Sequence, residues 1–487
     1  MMKSKPQIRL NLLLGLSHFL AIFTWLMLVD NRVFRFDAST YYRLANSFDA
    51  GYGFSLANFP RSLRGVVFPL ILHGFNSLTD LMLGDRIYGW RLMIAVLSAL
   101  FTLSARYLFL DTVDRDKHFL QELLFSPLTL VAFVFFGLFP SPLADLVSLY
   151  FLVYSLSCVK LAYTRLSATD GKVLPTYLPT YLLFMLAGAF AYIAYNTRTI
   201  YMASGWGIIA IVLLMNKNYF LIFTSLLIGV FSVGWLQSVV NYHHNATRTI
   251  ALVNMAWAGH YSLNLFQLYH GVILNFYETY VGGTAGAAFG YASRAGEQLF
   301  ASAGITEPFQ SYAEYFALFL RYPVDMLASV FRNFLLLLNP ISGEGYIATR
   351  SNMRFVYTVF NFTLLSILFQ HSKLIFLDRT FKETWADIKA ACAGTSVRWL
   401  ATLTIILPFV AIVPGAVEGR FGLPFWVVAY AVICYQIDFK SIWLEIRGNL
   451  KLHVCIYLFT LMVFVSILTE LYAANWHGVF LPLLRFG

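Results

Sequence analysis

Apolar runs of ~20 residues, the length a helix needs to cross the hydrocarbon core of a bilayer, recur in this chain from residue 10 to residue 473. A water-soluble core cannot absorb so many. Of the 487 residues, 59% are hydrophobic and 12% charged, against roughly 25% charged in an ordinary soluble domain. The sequence therefore predicts an all-α polytopic membrane protein, because a lipid-facing backbone must satisfy its own hydrogen bonds within each helix. The formal charge of +10 does not point to nucleic acid, since the bases cluster between apolar runs, where they set topology.

The basic head Lys3, Lys5 and Arg9 precedes an apolar stretch too long for a signal peptide and without a small-residue cleavage site, so it is expected to remain as the first helix. Spanning helices are predicted near 10–29, 88–110, 123–140, 143–163, 180–197, 199–215, 219–240, 354–371, 397–415, 421–437 and 452–473, about 11 in all. Residues 30–87 and 241–353 then form two long external segments, and 111–122, 164–179, 372–396 and 438–451 are internal loops. On this topology all eleven lysines fall inside, and the external segments carry arginine alone, the asymmetry that orients membrane chains. The runs 66–84 and 325–338 would upset this parity if they crossed singly. They are therefore read as juxtamembrane or re-entrant helices within a single integral membrane domain, 1–487. The four cysteines show no CxxC spacing, and neither a disulfide framework nor a zinc site is expected.

Arginine presents a planar fork of donors suited to phosphate and carboxylate, whereas lysine is a point charge. An exterior of arginines therefore suggests an anionic ligand. The stretch Asp37 to Pro69 gathers an acid, paired tyrosines and two of these arginines beside the membrane. A helix over 38–48 would put Tyr41, Leu44, Ala45 and Phe48 on one face, with Asp37 at its mouth either capping the helix or acting chemically. Gly51 and Gly53 then turn the chain back, and Arg61 and Arg64 lead into an apolar segment. Arg64 so placed can hold a lipid phosphate or snorkel to the interface. Asp145, after the Ser141-Pro142 turn, reads either as a second functional acid or as an N-cap or buried partner for Arg198. His243, His244, His260 and His270 crowd the second external segment without HExxH spacing, and read either as hydrogen-bonding groups for a polar ligand or as interfacial residues. The Gly/Ala-rich run near 282–296 permits close backbone approach or a mobile loop.

The order Asp37-x-x-x-Tyr41-Tyr42-x-x-Ala45, Gly51-x-Gly53-Phe54-Ser55, Arg64-Gly65-x-x-x-Pro69 resembles the first external loop of GT-C superfamily glycosyltransferases. Glu418-Gly419-Arg420-Phe421-Gly422-Leu423-Pro424 is similar to a Glu-x-Arg-Tyr-x-x-Pro pattern that opens a late helix in that family, and Arg321 to Asp325 resembles the re-entry helix after its large loop. The resemblance implies a GT-C-like bundle in a bacterial inner membrane, with the N-terminus cytoplasmic and the active site periplasmic. It implies an inverting enzyme that takes a sugar from a polyprenyl-phosphate donor, such as undecaprenyl phosphate, to an envelope glycan or a lipid-linked acceptor. Asp37 would be the catalytic base. Tyr41, Tyr42, Arg61, Arg64, Asp145, Arg198, His260, Glu418 and Arg420 would bind substrate. Many relatives carry a second acid beside the first and this chain reads Asp37-Ala38-Ser39, so a divalent metal, magnesium or manganese, stays open at the site. Two other readings compete. An O-antigen polymerase or ligase would depend on arginine and histidine of the late loop, such as Arg294 or His260. A lipid-linked sugar flippase or transporter would carry inverted repeats, and none is evident.

Overall fold

The computed structural model describes residues 5–28, 36–109 apart from Tyr52 and Leu63, 141–168, 178–214, 219–253, 262–280, 287–338, 354–376, 397–435, 439–448 and 450–473, with Phe34, Phe125, Thr129 and Ile437 as single positions. Among the described residues 84% are helical, in 17 α-helices. Five of them, Tyr88–Phe109, Ala144–Leu166, Leu178–Thr197, Tyr219–Asn245 and Leu450–Ile467, are long and apolar enough to cross a membrane. Helices also cover the shorter apolar segments expected near 10–29, 199–215, 354–371, 397–415 and 421–437, whereas the segment 123–140 lies almost wholly outside the described residues. Against the expected total of about 11 spans, the described residues contain five helices of full membrane length. The described elements form two compact units.

The first unit holds α1 (Lys5–Leu28), α2 (Phe36–Ser47), α3 (Val67–Leu83), α4 (Tyr88–Phe109), α5 (Ala144–Ala168), α6 (Leu178–Thr197), α7 (Met202–Leu214) and α8 (Tyr219–Asn245). At its centre, α5 has 78% of its apolar window buried and packs against α4 and α6. Next to it α6 crosses α8 at a glycine pair. A Cβ on Gly188 would lie 2.0 Å from the Leu226 carbonyl oxygen, and one on Gly229 would lie 1.8 Å from that of Met185. Small residues at such a crossing let two backbones touch, which is how helices associate where lipid supplies no hydrophobic drive. Run 66–84 is a helix, as expected, and it ends at Gly84, left-handed at φ 70°, whose N–H bonds the Asp80 carbonyl.

The second unit contains α9 (Leu263–Ile273), the antiparallel pair β1 (Leu274–Tyr280) and β2 (Ala287–Ala292), α10 (Arg294–Ala303), α11 (Tyr312–Arg321), α12 (Pro323–Leu338) and α13 (Arg354–Phe376). Next comes α14 (Val397–Ile412), which starts in the first unit and ends in the second, then α15 (Leu423–Tyr435), α16 (Phe439–Gly448) and α17 (Leu450–Ala473). The fold is all-α as expected, with one short antiparallel β ribbon added to it. Part of the Gly/Ala-rich run, read from sequence as allowing close backbone approach or a mobile loop, is β2, paired with β1 and interrupted by one unpaired residue at Asn275. Small side chains leave the backbone free to find a ladder. A core of Leu265, Val272, Leu299, Phe300, Phe309, Tyr315, Leu318 and Met326 joins α9 to α12. Arg332 and Asn333 lock it. Arg332 donates to Ser293 Oγ and to the carbonyls of Gly271 and Leu274, while Asn333 Nδ2 donates to Gly271, Val413 and Gly415.

Away from that core, α11 and α12 expose Tyr312, Phe316, Leu320, Val324, Leu327 and Phe331 at steps of three or four residues. One wide apolar stripe results. The expected internal loop 438–451 is mostly the helix α16, amphipathic and ending at the foot of α17.

Candidate functional site

In α2 the apolar face is the one its spacing predicts, with Ala38, Tyr41, Leu44 and Ala45 buried and Phe48 following them inward. The expectation that Asp37 caps the helix needs correction. The helix begins one residue earlier, at Phe36, and Asp37 sits in its first turn, where the helix dipole favours a carboxylate. Phe36 holds φ at 49°. A left-handed backbone costs a residue with a Cβ about 1–2 kcal/mol, and strain of this kind gathers where a neighbouring group must be aimed.

Asp37 is aimed at Arg64. Nη2 of the guanidinium lies 2.5 Å from Asp37 Oδ1, with both side chains about a third exposed. The same guanidinium lies over the Tyr41 ring, 5.5 Å from its centroid. Arg64 is held from both sides in sequence. Its backbone N–H donates to Ser62 Oγ at 3.0 Å, and Gly65 is pressed so closely on Asn196 that a Cβ there would stand 2.1 Å from the Asn196 carbonyl oxygen.

Asn196 belongs to a buried amide chain. Its Oδ1 accepts from the Val67 N–H at 2.9 Å and its Nδ2 donates to Gln237 Oε1, which also accepts from the Val66 N–H. Gln237 Nε2 donates to Asn241 Oδ1, and Asn241 Nδ2 donates to the carbonyls of Thr249 and Ala251. These amides satisfy the first N–H groups of α3, which otherwise need a cap or an anion. Two residues beyond Asn196, where α6 has ended, Arg198 pairs with Asp145 in the first turn of α5. The reading of Asp145 as a buried partner for Arg198 is what the structure contains: Asp145 is 6% exposed and Arg198 18%.

Both ion pairs reach one phenol. The charges of Arg64, Asp37, Arg198 and Asp145 all act on Tyr41, whose pKa is raised, chiefly by burial. It therefore stays a neutral hydrogen-bond donor. Tyr42, expected at the same site, turns elsewhere. Its ring packs tilted against Phe34, centroids 5.0 Å apart, and its phenol feels Asp85, Arg86 and Asp80 instead. That second cluster joins Arg86 to Asp49 at 3.0 Å and to Asp80 at 2.9 Å, with His73 Nε2 3.6 Å from Asp49.

Arg61 is exposed on the loop before Arg64. His260 lies outside the described residues. His244 meets the Phe59 carbonyl at 2.6 Å, and His270 donates from Nδ1 to the Phe266 carbonyl at 2.9 Å. Burial depresses the pKa of His270 to about 4, so it is neutral at physiological pH. Glu418 and Arg420 belong to the second unit, where Arg420 Nε approaches Glu418 Oε2 to 2.5 Å and its guanidinium covers Phe421. The GRFG turn is tight, with Gly422 against the Leu337 carbonyl.

Among the described residues, no group of three or more His, Cys, Asp or Glu side chains is placed to hold a metal ion. The two carboxylates near Tyr41 each face a guanidinium, a set suited to exchanging one anion for another. It does not fit a divalent cation. Sequence reasoning missed Asn196, Gln237 and Asn241. Their signal was polar amides inside apolar helices, costly unless they bond. No family model, no curated protein and no solved structure matches the chain.

Proposed function

We propose that this is a membrane-embedded glycosyltransferase of GT-C type, drawing a sugar from a polyprenyl-phosphate donor at the Asp37–Arg64 site. The observation that carries the reading is the convergence of two arginine–carboxylate pairs, one of them a third exposed, on a single buried tyrosine. Arginine forks bind phosphate oxygens as readily as carboxylates. When the donor's phosphate arrives, Arg64 exchanges Asp37 for it. The carboxylate so released becomes a base.

The acceptor hydroxyl oxygen then attacks the anomeric carbon as the bond from that carbon to the phosphate oxygen breaks. The bonding pair leaves on the phosphate, which Arg64 stabilises where charge grows. The hydroxyl proton passes to Asp37. Direct displacement inverts the anomeric centre, and no step passes through a metal. Tyr41, kept protonated by burial, offers a hydrogen bond to the sugar or phosphate. Arg198, neutralised by Asp145, adds positive potential without a net charge to bury.

In this reading the chain crosses a bacterial inner membrane about 11 times with its N-terminus cytoplasmic, which the confinement of lysine to alternate loops supports. The site then faces the periplasm, and the acceptor is an envelope glycan or a lipid-linked saccharide. The test is transfer by the purified protein in nanodiscs, using radiolabelled undecaprenyl-phosphate sugars and envelope-glycan acceptors. Label appearing on an acceptor, and disappearing with Asp37→Asn, supports the reading. A donor moved across the bilayer without being consumed would replace it with the flippase reading, and a requirement for the late-loop arginines but not Asp37 with the polymerase one.

A further inference from the structure

The helix α16 has two unlike sides. Ile442 is buried against the second unit, while Trp443 and Leu444 are 57% and 58% exposed. On the same exposed arc stand Lys440 and Arg447, one turn before and one turn after, with Lys451 exposed where α17 begins. An apolar pair bracketed by cations is the composition of a helix that lies in a membrane interface. The rings and methyl groups enter the acyl boundary while the cations stay at headgroup level.

Continuity fixes the occupant. Only position 449 separates α16 from α17, whose window Leu450–Ile467 is apolar and 0% buried against the protein. A helix so uncovered and of membrane length has lipid as its surroundings, so α16 meets the bilayer surface at the point where α17 enters it. We propose that the Lys440–Trp443–Leu444–Arg447–Lys451 face is a binding surface for the headgroups of anionic phospholipids. The three cations receive the phosphate, and Trp443 and Leu444 fix the depth. This surface is independent of the Asp37–Arg64 site, and its test does not require transferase activity.

The experiment presents purified full-length protein with equal amounts of dioleoyl-phosphatidylglycerol and dioleoyl-phosphatidylcholine and counts retained lipids by native mass spectrometry. Wild type is expected to retain the anionic lipid preferentially. The variant Lys440→Gln/Arg447→Gln/Lys451→Gln should lose that preference by about fivefold per cation removed, and Arg447→Lys should keep it. Trp443→Ala/Leu444→Ala should lower retention of both lipids with their ratio unchanged. Arg43→Gln/Arg248→Gln/Arg294→Gln removes three exposed cations elsewhere and should leave the ratio at the wild-type value. No preference in wild type, or an equal loss in this last variant, overturns the proposal. Should the first triple variant fail to fold, Lys440→Gln and Arg447→Gln singly carry the same test.

Discussion

Gly65 and Asn196 are in backbone contact, with room for a hydrogen and not for a methyl: an added Cβ would stand 2.1 Å from the Asn196 carbonyl oxygen and 2.2 Å from Oδ1. One residue from the first lies Arg64, and two from the second lies Arg198. The contact therefore sets how far apart the two guanidinium groups sit. Gly65→Ala is expected to cost transfer activity at least about tenfold, because a shift of about 1 Å at a positioned group is enough to do so. Arg64→Ala and Gly65→Ala should then lower kcat to similar degrees, as a radiolabel transfer assay measures.

Asn196→Ala acts on stability first. It strands the Val67 N–H and a share of the Gln237 amide, both buried, at about 1–3 kcal/mol for each group left unsatisfied. Thermal unfolding in detergent should show a lower Tm for Asn196→Ala than for Ser62→Ala, whose bond to Arg64 N lies at a partly buried site.

The two ion pairs should respond oppositely to neutralisation. Asp37, 30% exposed, is expected to tolerate replacement by Asn with little loss of stability, since partly exposed pairs are worth about 0–1 kcal/mol. Its transfer rate should nevertheless fall about 10²-fold or more, the usual contribution of a general base. Asp145, 6% exposed, faces the reverse. Asp145→Asn leaves the partly buried Arg198 without its carboxylate, a change expected to approach the about 3–5 kcal/mol of a broken buried pair. Comparing unfolding midpoints and initial rates of the two variants checks both directions. Equal stability losses would sink the distinction.

His270 is expected to make stability depend on pH below neutrality. Its folded pKa, about 4, lies below its ordinary 6.5, so between these values the unfolded chain binds the more protons. Stability then rises with pH through that window: the neutral-histidine form is fully favoured above about 6.5 and is progressively penalised as pH falls toward 4. His270→Gln should flatten the slope of Tm against pH between 4 and 6.5 and leave activity above pH 7 near the wild-type value. An unchanged slope would falsify the assignment of the effect to this ring.

The stripe on α11 and α12 should meet lipid in the native membrane. With the native cysteines replaced, a spin label at Leu320→Cys or Val324→Cys is expected to be relaxed more by oxygen than by an aqueous nickel chelate. A label at Glu314→Cys, exposed on α11 beside the buried Tyr315, should show the opposite order.

Much of this was legible along the chain, and the limits have physical causes. The face of α2 was written in the spacing of Tyr41, Leu44, Ala45 and Phe48, because a local period needs no partner to be read. The glycine turn was equally plain: Gly51 and Gly53 hold φ of 100° and 130°, which few other residues accept. Pairings were harder. Arg198 with Asp145 could be named because one follows the end of an apolar helix and the other opens one, yet Arg64 with Asp37 depends on a loop fold that no period encodes. Asn196 went unnoticed in the sequence, since what it bonds, Gln237, lies 41 positions away. The ribbon escaped for another reason. In Ala287 to Ala292 the strand-favouring Phe289 and Tyr291 stand among alanine and glycine, which favour no strand, so the ribbon is fixed by pairing with β1. Tyr42 misled because adjacent tyrosines on a helix point about 100° apart, and only one can face the site.

Thr404, in α14, closes the first unit by accepting a hydrogen bond at its carbonyl from Ser204 Oγ, 200 residues earlier, and by filling the space over Gly207. At about 5–20 residues per second, a ribosome has been at work on the intervening chain for roughly 10–40 s before that contact can form. During this interval α7 has an uncovered hydroxyl and glycine, while the greater part of the second unit is made. The last piece of the first unit is thus delivered late, and a nascent chain halted before residue 404 would present that bare groove to whatever insertase or quality-control machinery attends it.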